Sequence, residues 1–503
     1  MKVIDNLLDS ITMYRLVLYY LILLLFVACV FSFIGILPYN PFLFIFSVLF
    51  LITVSWITNK IFANVFNAPT NVESVYISAL ILALIISPIN SFSGLPLLFW
   101  AAVLTMASKY ILAINKKHIF NPVAIAVVLT AFGFRGSVSW WIGTASMLPF
   151  SLLGLLIVRK IKRYDLVFYF FSTSLLIMLG FNLIEGNNLF TTLKQIILFS
   201  PIFFFAFVML TEPLTTPPTK KLQSIYAVLV GVLFTPQFHI GSFYTTPELS
   251  LVIGNAFSYL VSPKDKIISA IRQKIQIAPD MVDFFFIPKK KLAFIPGQYM
   301  EWTLPHKNPD SRGNRRYFTI ASSPTEEAIR LGVRFYPNGS SYKKAMLAVG
   351  TDTPFVGAQL AGDFTLPKNI NQKLIFIAGG IGITPFRSMI KYLIDIKEHR
   401  PIILFYVNRT IDEIVYRDVF DQAQEEGIKI VYALTDQTKL PPDWKGAVGR
   451  IDTDMITQAA PDFRERIFYL SGPRTMVTAY EETLKKMGIK ENKIKTDFFP
   501  GFA

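Results

Sequence analysis

The chain has 503 residues, 52% of them apolar, with a single cysteine, four histidines and a formal charge of +15. The lone Cys29 excludes a structural disulfide within the chain and a cysteine-ligated iron–sulfur cluster of its own. The positive charge gathers in short loops between apolar blocks, as topology and anionic headgroups dictate, and leaves no nucleic-acid footprint.

Crossing a ~30 Å hydrocarbon core takes about 20 apolar residues, and blocks of that kind recur up to about residue 263. The strongest are 17–33, 41–57, 75–89, 95–114, 147–158 with its flanks, 166–183 and 196–210, and weaker ones are 120–134, 225–238 and 249–261. Ten spans are therefore predicted. The first block is too long for a signal-peptide core and no small-residue cleavage site follows it, so it reads as a span. With the N-terminus inside, the inner loops hold Lys60, Lys116, Lys117, Arg159, Lys160, Lys162, Arg163, Lys220 and Lys221. The outer loops hold Arg135 and Lys194. This asymmetry predicts a multi-pass protein of the cell membrane with both termini cytoplasmic.

Only His118 and His239 precede residue 263, one near each face, so an intramembrane bis-histidine haem pair cannot be assembled. Ferric reductases and NADPH oxidases need such pairs. Glu73 and Glu212 fall near span boundaries, and Lys109 lies near an inner end, from which it can snorkel. The span interiors therefore hold essentially no ionisable groups, and ion pumping by the isolated chain is not expected.

Residues 264–274 read as a basic helical linker along the inner surface. Beyond them, 275–286, 298–304, 316–321 and 328–336 have the alternation of a small antiparallel barrel. The apolar runs 374–378, 402–407, 428–434 and 467–470 alternate with helical stretches, the pattern of a parallel sheet wound with helices.

Three motifs fall on these elements. Arg316-Tyr317-Phe318-Thr319, with Ser322 beyond it, offers a cation for a pyrophosphate, an aromatic to cover an isoalloxazine ring and a hydroxyl to bond it. The same alternation occurs on many half-exposed strands. Phe376 to Pro385 is a buried strand opening through Gly379, Gly380 and Gly382 onto a helix, where close backbone approach and free N–H donors suit a phosphate. A merely tight connection is the plainer reading of such glycines. Tyr469-Leu470-Ser471-Gly472-Pro473-Arg474-Thr475-Met476 ends another strand at its carboxyl edge, where open α/β sheets bind ligands.

In this order and spacing the motifs resemble the ferredoxin-NADP reductase family over about residues 270–503. Pro296-Gly297-Gln298 precedes the flavin motif, Gly339-Ser340-Ser341 falls where the family covers the flavin phosphates, and Gly362-Asp363-Phe364 marks the barrel's end. The resemblance implies that Arg316, Tyr317, Phe318, Thr319, Ser322, Gly339, Ser340 and Ser341 hold FAD. It implies that Gly379, Gly380, Gly382, Thr384, Pro385, Gly472 and Pro473 face NADH or NADPH. Ser471 stands where the family usually places a cysteine against the nicotinamide, a departure bearing on the rate or position of hydride transfer. In the tail from Asp497 to Ala503, Phe502 is similar to a terminal aromatic that lies on the flavin. After the second parallel strand, Arg409 suits a 2′-phosphate while Asp412 and Glu413 suit a plain ribose. The signals conflict, with a slight balance toward NADH.

Lys117-His118-Ile119-Phe120-Asn121-Pro122, Glu73-Ser74 leading into 79–84, and Thr211-Glu212-Pro213-Leu214-Thr215-Thr216-Pro217 resemble the D subunit of Rnf complexes and the B subunit of the sodium-pumping NADH:quinone reductase, over about residues 40–262. Family members carry flavin here, many as FMN on a threonine in a Ser-Gly-Ala-Thr stretch. That stretch is absent; Asn187 to Leu193 instead puts Thr191 and Thr192 in an outer loop, so Thr191 is the candidate for FMN, beside a noncovalent flavin between helices.

The expected architecture is a polytopic α-helical membrane domain (1–262), a basic linker (263–274), an antiparallel β-barrel FAD domain (275–369) and an α/β parallel-sheet NAD(P)-binding domain (370–503). One tunnelling step across ~30 Å is too slow, so a membrane flavin is expected to relay electrons from NAD(P)H and FAD to a quinone or an extracytoplasmic acceptor, with further redox subunits as possible partners. A ferric-reductase-like transmembrane reductase and a redox-sensing transporter are the alternatives. No metal site is expected.

Overall fold

The computed structural model describes residues 8, 11–66, 72–114, 117–134, 138–241, 243–263, 267–307, 309–310, 313–351 and 353–497. The chain divides into two compact units at the Ser262/Pro263 junction.

The first unit is helical. Its main helices are α1 Met13–Phe33, α2 Pro41–Val65, α3 Val72–Ile85, α4 Leu95–Ile111, α5 Pro122–Phe134, α6 Leu155–Ile161, α7 Tyr164–Ile184, α8 Leu189–Phe199, α9 Lys220–Leu233 and α10 Pro247–Val261. Sequence sets the starts: Asn40 Oδ1 accepts from the N–H groups of Phe42 and Leu43 at 3.0 and 3.2 Å, and Pro41 occupies the first turn of α2.

All the apolar blocks contain helix, but the ten-span expectation does not hold. Among the described residues, four helices are long and apolar enough to cross a membrane, namely Met13–Phe33, Pro41–Val65, Phe92–Ile111 and Tyr164–Ile184. A fifth is gained if Leu189–Phe199 and Ile202–Met209, bent by 60°, count as one span. Apolar content is not unbroken helix. A 14-residue helix such as α3 rises only about 21 Å. The 147–158 block splits into Leu148–Ser151, Leu152–Gly154 and α6. The 196–210 block breaks at Ser200–Pro201, where proline removes a helix donor.

Ionisable groups near the predicted span ends also turn inward. Lys109 Nζ donates to Ser74 O and Oγ at 2.8 and 3.0 Å instead of snorkelling. Glu212 Oε1 lies 3.3 Å from His118 Nε2, and its Oε2 accepts from Asn121 Nδ2 (2.9 Å) and Thr215 Oγ1 (3.1 Å). Buried Glu248 accepts from Trp140 Nε1 at 3.0 Å, and buried Arg163 bonds Thr216 Oγ1.

In the second unit, β1 Ile267–Ala278, β2 Met281–Phe286, β3 Tyr299–Thr303, β4 Arg315–Thr319, β5 Ile329–Arg334 and β6 Pro354–Ala361 form an antiparallel sheet in the order β4-β3-β6-β1-β2-β5, with α11 Ser341–Ala348 before β6. The stretch expected as a helical linker is thus strand from Ile267 onward. Register shifts at Ile271/Gln273 and Gln276/Ala278 break its alternation, and Arg272 points outward, which hides the strand in the sequence. Next come β7 Leu374–Gly379, α12 Thr384–Ile396, β8 Ile402–Asn408, α13 Arg417–Glu425, β9 Lys429–Leu434, β10 Ala447–Val448, α14 Thr453–Ala459, β11 Ile467–Ser471, α15 Arg474–Lys486 and β12 Ile494–Thr496. Their strands form a parallel sheet ordered β10-β9-β8-β7-β11-β12. Every residue of β7 and β8 is buried, as covered parallel strands require.

Candidate functional site

The predicted flavin residues lie on β4, an edge strand on which Arg316, Tyr317 and Phe318 are half-buried and Thr319 is buried. The Arg316 guanidinium stands 5.1 Å over the Tyr342 ring, and its Nη2 lies 3.6 Å from Asp310 Oδ1. Tyr317 packs edge-on to Tyr299 at 5.5 Å, and Phe318 lies 6.1 Å from Tyr342. Ser340 Oγ caps α11 by accepting from Lys343 N at 3.3 Å, directly after Gly339. Ser341 Oγ accepts from Asp310 N at 2.8 Å and lies 3.1 Å from His306 Nε2. Ser322 works across the two sheets: its Oγ accepts from Arg330 N (3.1 Å) and its carbonyl accepts from Ser388 Oγ on α12 (2.7 Å).

The glycine turn lies where β7 meets α12. Gly380 has φ +52°, and Pro385 sits in the first turn of α12, where Thr384 Oγ1 donates to Ile381 O at 3.2 Å. This turn packs backbone to backbone against the loop after β11: a Cβ on Gly382 would stand 2.5 Å from Gly472 Cα. Beyond that loop, Pro473 precedes α15.

The strand predicted to hold flavin and the glycine loops converge on one carboxylate. Thr319 Oγ1 and Ser471 Oγ both donate to Asp497 Oδ2, at 3.2 and 3.3 Å. Asp497 N donates to Leu470 O at 3.0 Å, fixing the residue just after β12. Asp497 Oδ1 is enclosed and has no hydrogen-bond partner among the described residues. Burial pushes this carboxyl up to about 7, against the pull of the Thr319 and Ser471 hydroxyls.

Residues 376–482 match the model of the oxidoreductase NAD-binding domain. This part of the chain is an NAD-binding domain. The chain is 25% identical over 238 residues to the flavohemoprotein of Oceanobacillus iheyensis, covering 45% of this chain and 57% of that protein. It is 30% identical over 219 residues to the phenol hydroxylase P5 protein of Acinetobacter pittii, covering 42% and 59%. The matches thus span under two thirds of those relatives' lengths. The flavohem-like FAD/NAD-binding domain of nitric oxide dioxygenase from Vibrio cholerae O1 biovar El Tor aligns with a TM-score of 0.41 at 17% identity, over 47% of this chain and 99% of that one.

Ion pairs clamp the NAD-binding domain to the antiparallel sheet. Arg387 of α12 donates to both Glu326 oxygens at 2.7 and 2.9 Å and to Ala321 O at 2.8 Å. Burial alone would raise the Glu326 carboxyl, but the Arg387 bonds outweigh it and hold it below the usual range. Tyr416 Oη donates to Asp283 Oδ1 at 2.6 Å, and Arg330 binds the other oxygen. Arg409 follows β8 and pairs with Glu413.

Thr191 lies in the first turn of α8 rather than in a loop; its N–H donates to Asn188 Oδ1 at 3.1 Å and its side chain is exposed. Phe502 falls outside the described residues. Sequence reasoning named Ser471 and Thr319 but assigned no role to Asp497, because only the fold shows that carboxyl enclosed between them.

Proposed function

We propose that the chain is a membrane-bound NAD(P)H-dependent flavin oxidoreductase. In this reading it passes electrons from cytoplasmic NADH or NADPH, through FAD in the second unit, to a flavin in the membrane unit and on to a quinone or an extracytoplasmic acceptor. The observation that carries it is the meeting of Thr319, Ser471 and Asp497 beside the glycine turn. FAD fits these residues: β4 offers a half-buried cation and aromatics at a sheet edge, next to an enclosed carboxylate oxygen with an open bonding site. Bound there, FAD supplies the conversion of a nicotinamide hydride into single electrons.

The chain's own residues do the rest. Arg316 and Phe318 hold the flavin, and Gly380 with the α12 N-terminus takes the dinucleotide pyrophosphate. Ser471 occupies the nicotinamide's approach, where reacting atoms must come within about 3–3.5 Å. Asp497 holds a proton at Oδ1 near neutral pH while the two hydroxyls fix Oδ2. In the first unit, four or five apolar helices supply the membrane anchor, the basic inner loops set the orientation, and exposed Thr191 is the attachment point considered for FMN.

Anaerobic addition of NADH to the purified full-length protein is expected to bleach flavin absorbance. An unchanged spectrum counts against the reductase half. With an impermeant acceptor outside sealed vesicles, reduction supports the transmembrane route, and its absence favours a redox-sensing role or a quinone-only route.

A further inference from the structure

We propose that the carboxylates around Arg409 make this site selective for NADH over NADPH, with Glu413 as the deciding residue. The inference rests on the reading of the NAD-binding domain as a nicotinamide-dinucleotide site. In a doubly wound sheet, the side chain at the carboxyl end of the strand beyond the phosphate turn meets the adenosine ribose; an arginine there accommodates a 2′-phosphate and an acid bonds the plain 2′-hydroxyl. Arg409 occupies this place after β8, but it is already engaged. Its Nε and Nη2 donate to Glu413 Oε1 at 2.8 and 2.6 Å. Glu413 is 5% exposed, and the same oxygen also accepts from Arg334 Nη2 at 2.9 Å.

Arg334 ties this cluster to the glycine turn. Its Nε donates to Asp280 Oδ2 at 2.7 Å, and a Cβ on Gly380 would stand 3.0 Å from its Nη1. Arg409 Nη2 also lies 3.9 Å from Asp280. Asp412 adjoins the pair in sequence, and Asp436 donates its N–H to Arg409 O at 3.0 Å. The carboxylates of Asp280, Glu413 and Asp436 thus face a cluster whose cations are Arg334, Arg409 and Lys439, and exposed Asp412 directly precedes Glu413 in the chain. A 2′-phosphate brings a further charge of about −1.5 to −2. To bind it with the Nε–Nη2 edge of its guanidinium, Arg409 must leave a short pair with a buried carboxylate, and that carboxylate must keep its charge with one partner fewer. A plain ribose demands neither change.

The test is calorimetric titration of the purified full-length protein with 5′-AMP and with 2′,5′-ADP, fragments that differ in the group at issue and need no flavin turnover. The unaltered protein is expected to bind 5′-AMP at least tenfold more tightly. Glu413→Gln is expected to shrink that ratio at least fivefold by releasing Arg409. Asp412→Asn, at an exposed position, is expected to shrink it by a smaller factor, about twofold, and guards against misfolding of the first variant. Tighter binding of 2′,5′-ADP by the unaltered protein, or an unchanged ratio in both variants, overturns the selectivity while leaving the nucleotide site standing. Binding of neither fragment overturns the nucleotide-site reading and this inference with it.

Discussion

Both units bury charge, but they neutralise it differently. In the first unit, Glu212 is bonded by an imidazole, an amide and a hydroxyl, and Glu248 by an indole. In the second, buried or half-buried carboxylates meet guanidinium groups: Glu326 with Arg387, Asp283 with Arg330, and Glu413 with Arg334 and Arg409. Asp497 is the second unit's exception, bonded by the hydroxyls of Thr319 and Ser471. A guanidinium favours a carboxylate's charged form: at Glu326 and Glu413 it outweighs burial and holds the carboxyl below its usual range, whereas at Asp283 burial still wins. Hydroxyls hold a carboxyl in place without fixing its charge, which leaves its proton available near neutral pH.

Removing a guanidinium is the hardest way to break this contrast. Arg387→Ala strands Glu326 and the Ala321 carbonyl at the seam of the two sheets and is expected to cost about 3 kcal/mol, seen as a lower denaturant midpoint for loss of reductase-unit structure. Next is Gly382→Ala, whose methyl would collide with Gly472 Cα. A displacement of about 1 Å costs on the order of 10²-fold in rate, so NADH-dependent flavin reduction is expected to fall by about that factor while the melting temperature moves far less.

Asp497→Asn probes the exception. The folded carboxyl titrates at about 7, above its ordinary value of 3.8. Folding therefore favours the protonated form: the contribution is whole below the unfolded value and fades as pH climbs through about 7. The unaltered protein should lose melting temperature between pH 5 and pH 8, and the asparagine variant should lose less. The smallest effect belongs to a pair in open water. Lys485→Ala breaks the exposed bridge to Glu491 and is expected to change stability by less than about 0.5 kcal/mol, within reach only of a careful denaturant titration.

What the sequence made legible depended on the environment of each element. The runs 374–378 and 402–407 reappear as β7 and β8 because strands covered on both faces are apolar throughout. The first part of β1, residues 267–274, escaped detection because its bulges put Arg272 and Gln273 side by side in solvent. The apolar blocks of the first unit told where helix forms but not where it stops. There the missing weight belonged to residues such as Pro201, whose ring ends a helix that hydropathy would continue. Thr319 and Ser471 were read from motifs, whereas Asp497 acquires meaning only once β4, β11 and β12 are brought together.

The most direct test is stopped-flow anaerobic reduction of the flavin by NADH, followed from pH 5.5 to 8.5 in the unaltered protein and in Asp497→Asn. One inflection near pH 7 is expected in the former and a flat profile in the latter. The same inflection in both proteins would contradict the assignment of Asp497 to the reacting site.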